Sequence, residues 1–133
     1  MALLIKAGAD TNKAATDDGT TALYMACQNG HGEVVALLIK AGADTHKATT
    51  DDGTTPLYFS CSSGHNSIVK LLLKHGADVN LPGTKGYRPI NIVCTNGHEP
   101  CLSTLLAYNA DVSPHNGEDL IEVATSGRRV RVL

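Results

Sequence analysis

The sequence predicts an all-α solenoid built from short helix-loop-helix repeats that carry β-hairpin fingers. Three landmarks recur along the 133 residues at one period. Asp18-Gly-Thr-Thr-Ala-Leu-Tyr returns as Asp52-Gly-Thr-Thr-Pro-Leu-Tyr, a shift of 34. Gly30-His31 returns as Gly64-His65 and as Gly97-His98, shifts of 34 and 33. Gly42-Ala-Asp44 returns as Gly76-Ala-Asp78 and as Asn109-Ala-Asp111, with an earlier copy at Gly8-Ala-Asp10. Self-similarity with a period between 20 and 50 residues is the mark of a repeat array.

The first helix of each unit follows from its apolar spacing. Leu23, Ala26 and Cys27 stand at i, i+3 and i+4, and Leu57, Ser60 and Cys61, then Ile90, Val93 and Cys94, repeat the register. That spacing places one apolar stripe along a helix. Gly30, Gly64 and Gly97 come next, where a helix end calls for a left-handed residue. The second helix carries Val35, Leu38 and Ile39, then Val69, Leu72 and Leu73, then Leu102, Leu105 and Leu106. Pro100 opens its helix where a missing N–H costs nothing, and Gly42 and Gly76 close theirs. The connecting segments hold Asp18-Gly19, Asp52-Gly53 and Pro82-Gly83, which are turn signals and predict projecting hairpin-like fingers. Helices of two to three turns are marginal alone, so each unit depends on its neighbours to cover its apolar face.

Composition narrows the function. A net charge of −2 lacks the basic excess of a nucleic-acid module. No apolar run approaches the ~20 residues that span a bilayer, and Met1-Ala-Leu-Leu-Ile-Lys6 has neither the charged start nor the cleavage site of a signal peptide. The expected setting is the cytoplasm or nucleus, with no nucleic acid, no membrane insertion and no cofactor.

The repeat resembles that of the ankyrin family, whose unit runs roughly G-x-T-P-L-H-x-A-A-x-x-G-H-x-x-V-V-x-x-L-L-x-x-G-A-D. Gly53-Thr-Thr-Pro-Leu-Tyr-Phe-Ser-Cys-Ser-Ser-Gly-His65, then Ile68-Val69, Leu71-Leu72 and Gly76-Ala-Asp78, follow it closely. The unit from Gly19 matches as well, and the unit from Gly86 departs most, with Arg88-Pro-Ile-Asn91 at the T-P-L-H position. The resemblance implies an ankyrin-type solenoid over residues 1–133 as a single domain: a partial repeat 1–16, repeats at about 17–50, 51–83 and 84–115, and a degenerate repeat 116–133. Tyr24, Tyr58 and Asn91 replace the family histidine that ties finger to neighbour, so the tie must be made differently here. Two fingers are also a residue longer than the third: Asp10 to Gly19 and Asp44 to Gly53 are nine apart, Asp78 to Gly86 eight. Terminal repeats normally show a polar outer face. The N-terminal unit has none, which predicts a fragment of a longer array or an artificial boundary, and self-association through uncapped ends.

No residue set points to catalysis or metal binding. Equivalent positions on stacked helices lie ~8–10 Å apart, too far for Cys27, Cys61 and Cys94 to form disulfides. These three and Cys101 are read as small buried hydrophobes. The same spacing keeps His31, His65 and His98 from sharing a zinc ion, so they are read as polar residues opening the second helices and bonding local backbone. There is no Gly-x-Ser-x-Gly elbow and no Gly-x-x-x-x-Gly-Lys phosphate loop. Arg128, Arg129 and Arg131 are too few to hold phosphate strongly.

What the resemblance implies instead is a protein–protein interaction module or scaffold. Its concave face of finger tips and first helices would bind a protein partner. The matching positions here are Asp17, Asp18, Thr20, Tyr24, Gln28 and Asn29; Asp51, Asp52, Thr54, Tyr58, Ser62 and Ser63; and Thr84, Lys85, Tyr87, Arg88, Asn91, Thr95 and Asn96. Tyr24, Tyr58, Tyr87 and Arg88 have the residue types most often found as anchors. The aspartates of two fingers against Lys85 and Arg88 of the third make a charge gradient, which acts mainly on partner choice and association rate. The alternative is a structural spacer in a longer array with no partner of its own. In animals the family can be hydroxylated at the positions of Asn12, His46 and Asn80.

Overall fold

The computed structural model describes residues 21–49, 53–83 and 86–113. They form six helices: α1 (Ala22–Gln28), α2 (Gly32–Lys40), α3 (Pro56–Ser63), α4 (Asn66–Lys74), α5 (Pro89–Asn96) and α6 (Glu99–Ala107). Each odd helix packs on the even helix that follows it. The odd helices also pack on one another in chain order, as do the even ones. The result is two layers of stacked helices with the core between them. Among the described residues no helix is long and apolar enough to cross a membrane.

The same local devices set the helix limits in every repeat. Thr21 and Thr55 cap α1 and α3 by accepting from the Tyr24 and Tyr58 N–H groups at 3.2 Å, which satisfies one of the orphan donors of a first turn. At α5 the direction reverses: the Asn91 side chain accepts from the Arg88 N–H at 2.8 Å. All six helices end in a bond from residue i to the carbonyl of i−5, as in His65 N–H to Ser60 O at 3.0 Å and Ala77 N–H to Leu72 O at 3.0 Å. The residue that turns the chain is left-handed: Gly30, Gly64 and Gly97 after the odd helices, Gly42 and Gly76 after the even ones, and Asn109 (φ 62°) where the third repeat lacks a glycine. Asparagine tolerates that region better than other side chains.

The apolar stripes are buried in register. Leu23, Leu57 and Ile90 are at most 2 % exposed, as are Cys27, Cys61 and Cys94, and Leu38, Leu72 and Leu105. Ser60, the one polar member of the first-helix stripe, donates its hydroxyl to Pro56 O at 2.8 Å. At the last stripe position of the second helix Leu73 is buried as expected, but Ile39 is half-buried and Leu106 is exposed.

The expected β-hairpin fingers are shorter than strands. No described residue is in a strand. Among the described residues one finger is closed by Thr49 N–H to Thr54 O at 3.0 Å and Gly53 N–H to Thr49 O at 3.2 Å, and the next by Gly83 N–H to Tyr87 O at 2.8 Å and Gly86 N–H to Gly83 O at 3.2 Å. A loop this tight leaves no length for a ladder.

Candidate partner-binding strip

The odd helices line one side of the stack, and they carry Tyr24, Gln28, Tyr58, Ser62, Ser63, Asn91, Thr95 and Asn96 of the expected positions. Asp17, Asp18, Thr20, Asp51, Asp52, Thr84 and Lys85, like Asn12, lie outside the described residues. Gln28, Asn29, Ser63 and Thr95 are exposed, while Ser62, Asn96 and Tyr87 are half-buried.

Tyr24, Tyr58 and Thr54 are placed otherwise. Tyr24 and Tyr58 are each 8 % exposed and Thr54 is 3 %. The Tyr24 ring meets Phe59 of the next repeat with centroids 5.5 Å apart and planes tilted by 57°. The Tyr58 ring covers Gly83 of the next finger so closely that a Cβ there would lie 2.8 Å from it. Thr54 N–H bonds to Thr49 Oγ1 at 3.2 Å. These aromatic contacts are the inter-repeat tie that replaces the missing histidine. An anchor reading of the tyrosines therefore gives way to a joint reading, because a ring already covered by its neighbour has little surface left to bury.

Arg88 is also engaged within the chain. Its guanidinium reaches Asp111 Oδ2 at 3.1 Å, Asp111 O at 2.9 Å and Ser113 Oγ at 3.4 Å, and it bonds Ser113 O as well. With its side chain only 12 % exposed, it fastens the third repeat to the finger that follows. The Ser113 backbone N–H, then its hydroxyl, and then Arg88 hold the Asp111 carboxyl below the usual carboxylate range.

The Gly-His landmarks have a use beyond the local bonding expected of them. The His65 ring packs on Gly30, and the His98 ring packs on Gly64. His98 Nε2 lies 3.0 Å from Ser62 O, and since a carbonyl only accepts, this nitrogen carries the proton. Asn96 Nδ2 donates to the same oxygen at 3.0 Å. The histidine thus bonds the preceding repeat, not its own turn. In the fingers, His46 Nε2 accepts from Asp78 N–H at 3.1 Å, and Asn80 Oδ1 accepts from Asp111 N–H at 2.8 Å. Two of the three positions named for hydroxylation, His46 and Asn80, are therefore inter-repeat acceptors.

Sequence reasoning overlooked Met25, Phe59 and Ile92. They follow Tyr24, Tyr58 and Asn91 directly, lie two residues past the first stripe position and are apolar in all three repeats, Ile92 packing partly buried against the core. Met25 is 40 % exposed, and Phe59 and Ile92 are half-buried. The signal was an apolar residue recurring in all three repeats at a position outside the i, i+3, i+4 stripe.

Among the described residues no three His, Cys, Asp or Glu side chains converge to hold a metal. All four cysteines are free and buried. Burial raises Cys27 and Cys94 from 9.0 to about 11, and raises Cys61 and Cys101 too, Cys61 with a further push from Cys101. A thiol of pKa about 11 is ionised to roughly one part in a thousand at pH 8. Labelling of the folded chain at pH 8 with a thiol-reactive disulfide dye should therefore be at least about a hundredfold slower than in denaturant. Fast stoichiometric labelling of the folded chain would refute the burial. The protonated form is favoured by folding, so this contribution to stability is complete below the unfolded thiol value and is lost as pH rises from about 9 towards 11.

Two family models match the chain. One, described as ankyrin repeats in three copies, covers residues 1–83. The other, described as ankyrin repeats in many copies, covers residues 61–106. No curated protein matches.

Proposed function

Since the chain belongs to the ankyrin repeat family, whose repeats generally serve as protein–protein interaction modules, we propose that it binds a partner protein along the exposed side of α1, α3 and α5. The observation that carries this reading is the register of exposed and half-buried residues. Gln28, Ser62 and Thr95 occupy one position in three repeats, Asn29, Ser63 and Asn96 the next, and Met25, Phe59 and Ile92 a third. A rigid stack that repeats one surface three times offers a continuous, preorganised face. Preorganisation lowers the ordering cost of association. In this reading the chain is a binding module and not an enzyme: its thiols are buried and neutral, and its glycines serve turns.

The test uses the whole chain, immobilised, to capture a partner that is then purified and titrated. The triple variant Gln28→Lys, Ser63→Lys, Thr95→Lys adds three charges at exposed positions and should weaken binding at least about tenfold, near 1.4 kcal/mol. Ser103→Lys, exposed on the opposite layer, should leave the affinity unchanged. Equal binding by the triple variant and the parent would rule out the strip, and failure of the chain to capture any partner would favour a spacer role.

A further inference from the structure

Two inter-repeat histidines use the same ring nitrogen in opposite proton states. His98 Nε2 faces Ser62 O at 3.0 Å and donates. His46 Nε2 faces the Asp78 N–H at 3.1 Å and accepts, across the joint between its own finger and the next. An accepting ring nitrogen carries no proton, so the His46 ring in this arrangement is neutral and its proton sits on Nδ1. Nδ1 lies 3.4 Å from Thr45 Oγ1 and 3.8 Å from Asp44 Oδ1, both on its own finger.

The next joint makes the same bond with a group that does not titrate. Asn80 stands one period after His46, and its Oδ1 accepts from the Asp111 N–H at 2.8 Å. One repeat position therefore holds a titrating acceptor at the first joint and a non-titrating acceptor at the second.

An imidazole changes charge between about pH 5 and 8. A second proton on the His46 ring has only Nε2 to occupy, where it points at the Asp78 N–H. Two donors then face each other and the bond is lost. The side chain is half-exposed, so the proton arrives from solvent without unfolding. The charged ring keeps the Asp44 carboxylate beside Nδ1, and so exchanges a bond across the joint for an ion pair within its own finger. The other charged groups of the two fingers are Lys47 and Asp78, with Asp51, Asp52 and Lys85 outside the described residues. At His98 a second proton goes to Nδ1 instead, and the bond that Nε2 donates to Ser62 O survives.

We propose that His46 is a proton-operated latch. Neutral, it ties the finger that begins at Asp44 to the finger that begins at Asp78; charged, it lets go, while the Asn80 and His98 ties hold in both states. The latch stands or falls independently of partner binding by the strip. The test follows the isotope-labelled whole chain by NMR from about pH 7.5 to about 5. The Asp78 amide proton should shift with the same midpoint as the His46 ring protons. Its exchange with water, corrected for the intrinsic effect of pH, should rise about fivefold at the acid end, as expected for the loss of one hydrogen bond. The Asp111 amide should do neither. His46→Asn should abolish the transition and keep the Asp78 amide protected throughout. His46→Ala should leave that amide at the fast rate at every pH. Both variants should keep the parent's amide spectrum away from the fingers. An Asp78 amide indifferent to the His46 titration, a transition that persists in His46→Asn, or an equal transition at Asp111 overturns the latch.

Discussion

Replacing Gly64 with alanine should lower the unfolding free energy by about 2–4 kcal/mol, against about 1–2 kcal/mol for the same change at Gly76. Both glycines are left-handed, at φ 77° and 91°, so both substitutions carry the backbone penalty of an L-residue in that region. At Gly76 that is all, because a Cβ there meets nothing within 4 Å. At Gly64 the Cβ would stand 2.7 Å from His98 Nδ1 and 2.8 Å from Cε1. The ring cannot swing away freely, since its Nε2 is bonded to Ser62 O, and moving it gives up a hydrogen bond between repeats. Gly30, where the nearest His65 atom would be at 3.1 Å, should fall between the two. Urea denaturation of the three variants measures the order. A cycle with His98→Ala isolates the contact: the extra cost at Gly64 should vanish once the ring is gone. Equal losses at Gly64 and Gly76 would show that the histidine does not lock the joint.

The second large effect separates two adjacent leucines of α2. Leu38→Ala should cost about 2–5 kcal/mol, because Leu38 is 1 % exposed in the core between the layers and its removal leaves a cavity. Leu37→Ala should stay within about 1 kcal/mol, because Leu37 is 42 % exposed. In an array whose stability is a sum of repeat and interface terms, the loss at Leu38 weakens its own repeat and the core it shares with the next repeat together. Chemical denaturation with unchanged slope gives both values. A Leu37→Ala loss as large as that at Leu38 would mean that the outer face is covered.

How much was legible beforehand follows from where each interaction lies along the chain. Helix positions, glycine turns and the buried stripe depend on residues within five of one another, and their spacing is visible in the sequence. Thr21 and Thr55 as caps, and Asn109 as a stand-in for glycine, belong to the same local class. The binding strip was legible only as a set of positions. Gln28, Asn29, Ser63 and Thr95 are exposed as expected of such a face. Tyr24, Tyr58 and Arg88 look the same in sequence, yet they close joints to the next repeat, and that depends on Phe59, Gly83 and Asp111, residues 23 to 35 positions away.

The sequence by itself determined the repeat, its period, its two helices and their buried faces, because short-range periodicity and turn chemistry are written in neighbouring residues. Tertiary structure alone decided which polar and aromatic side chains stay exposed and which are used up between repeats. The reason is geometric: stacking brings a side chain against a finger or helix end one period away, and no local pattern records whether its surface survives that contact.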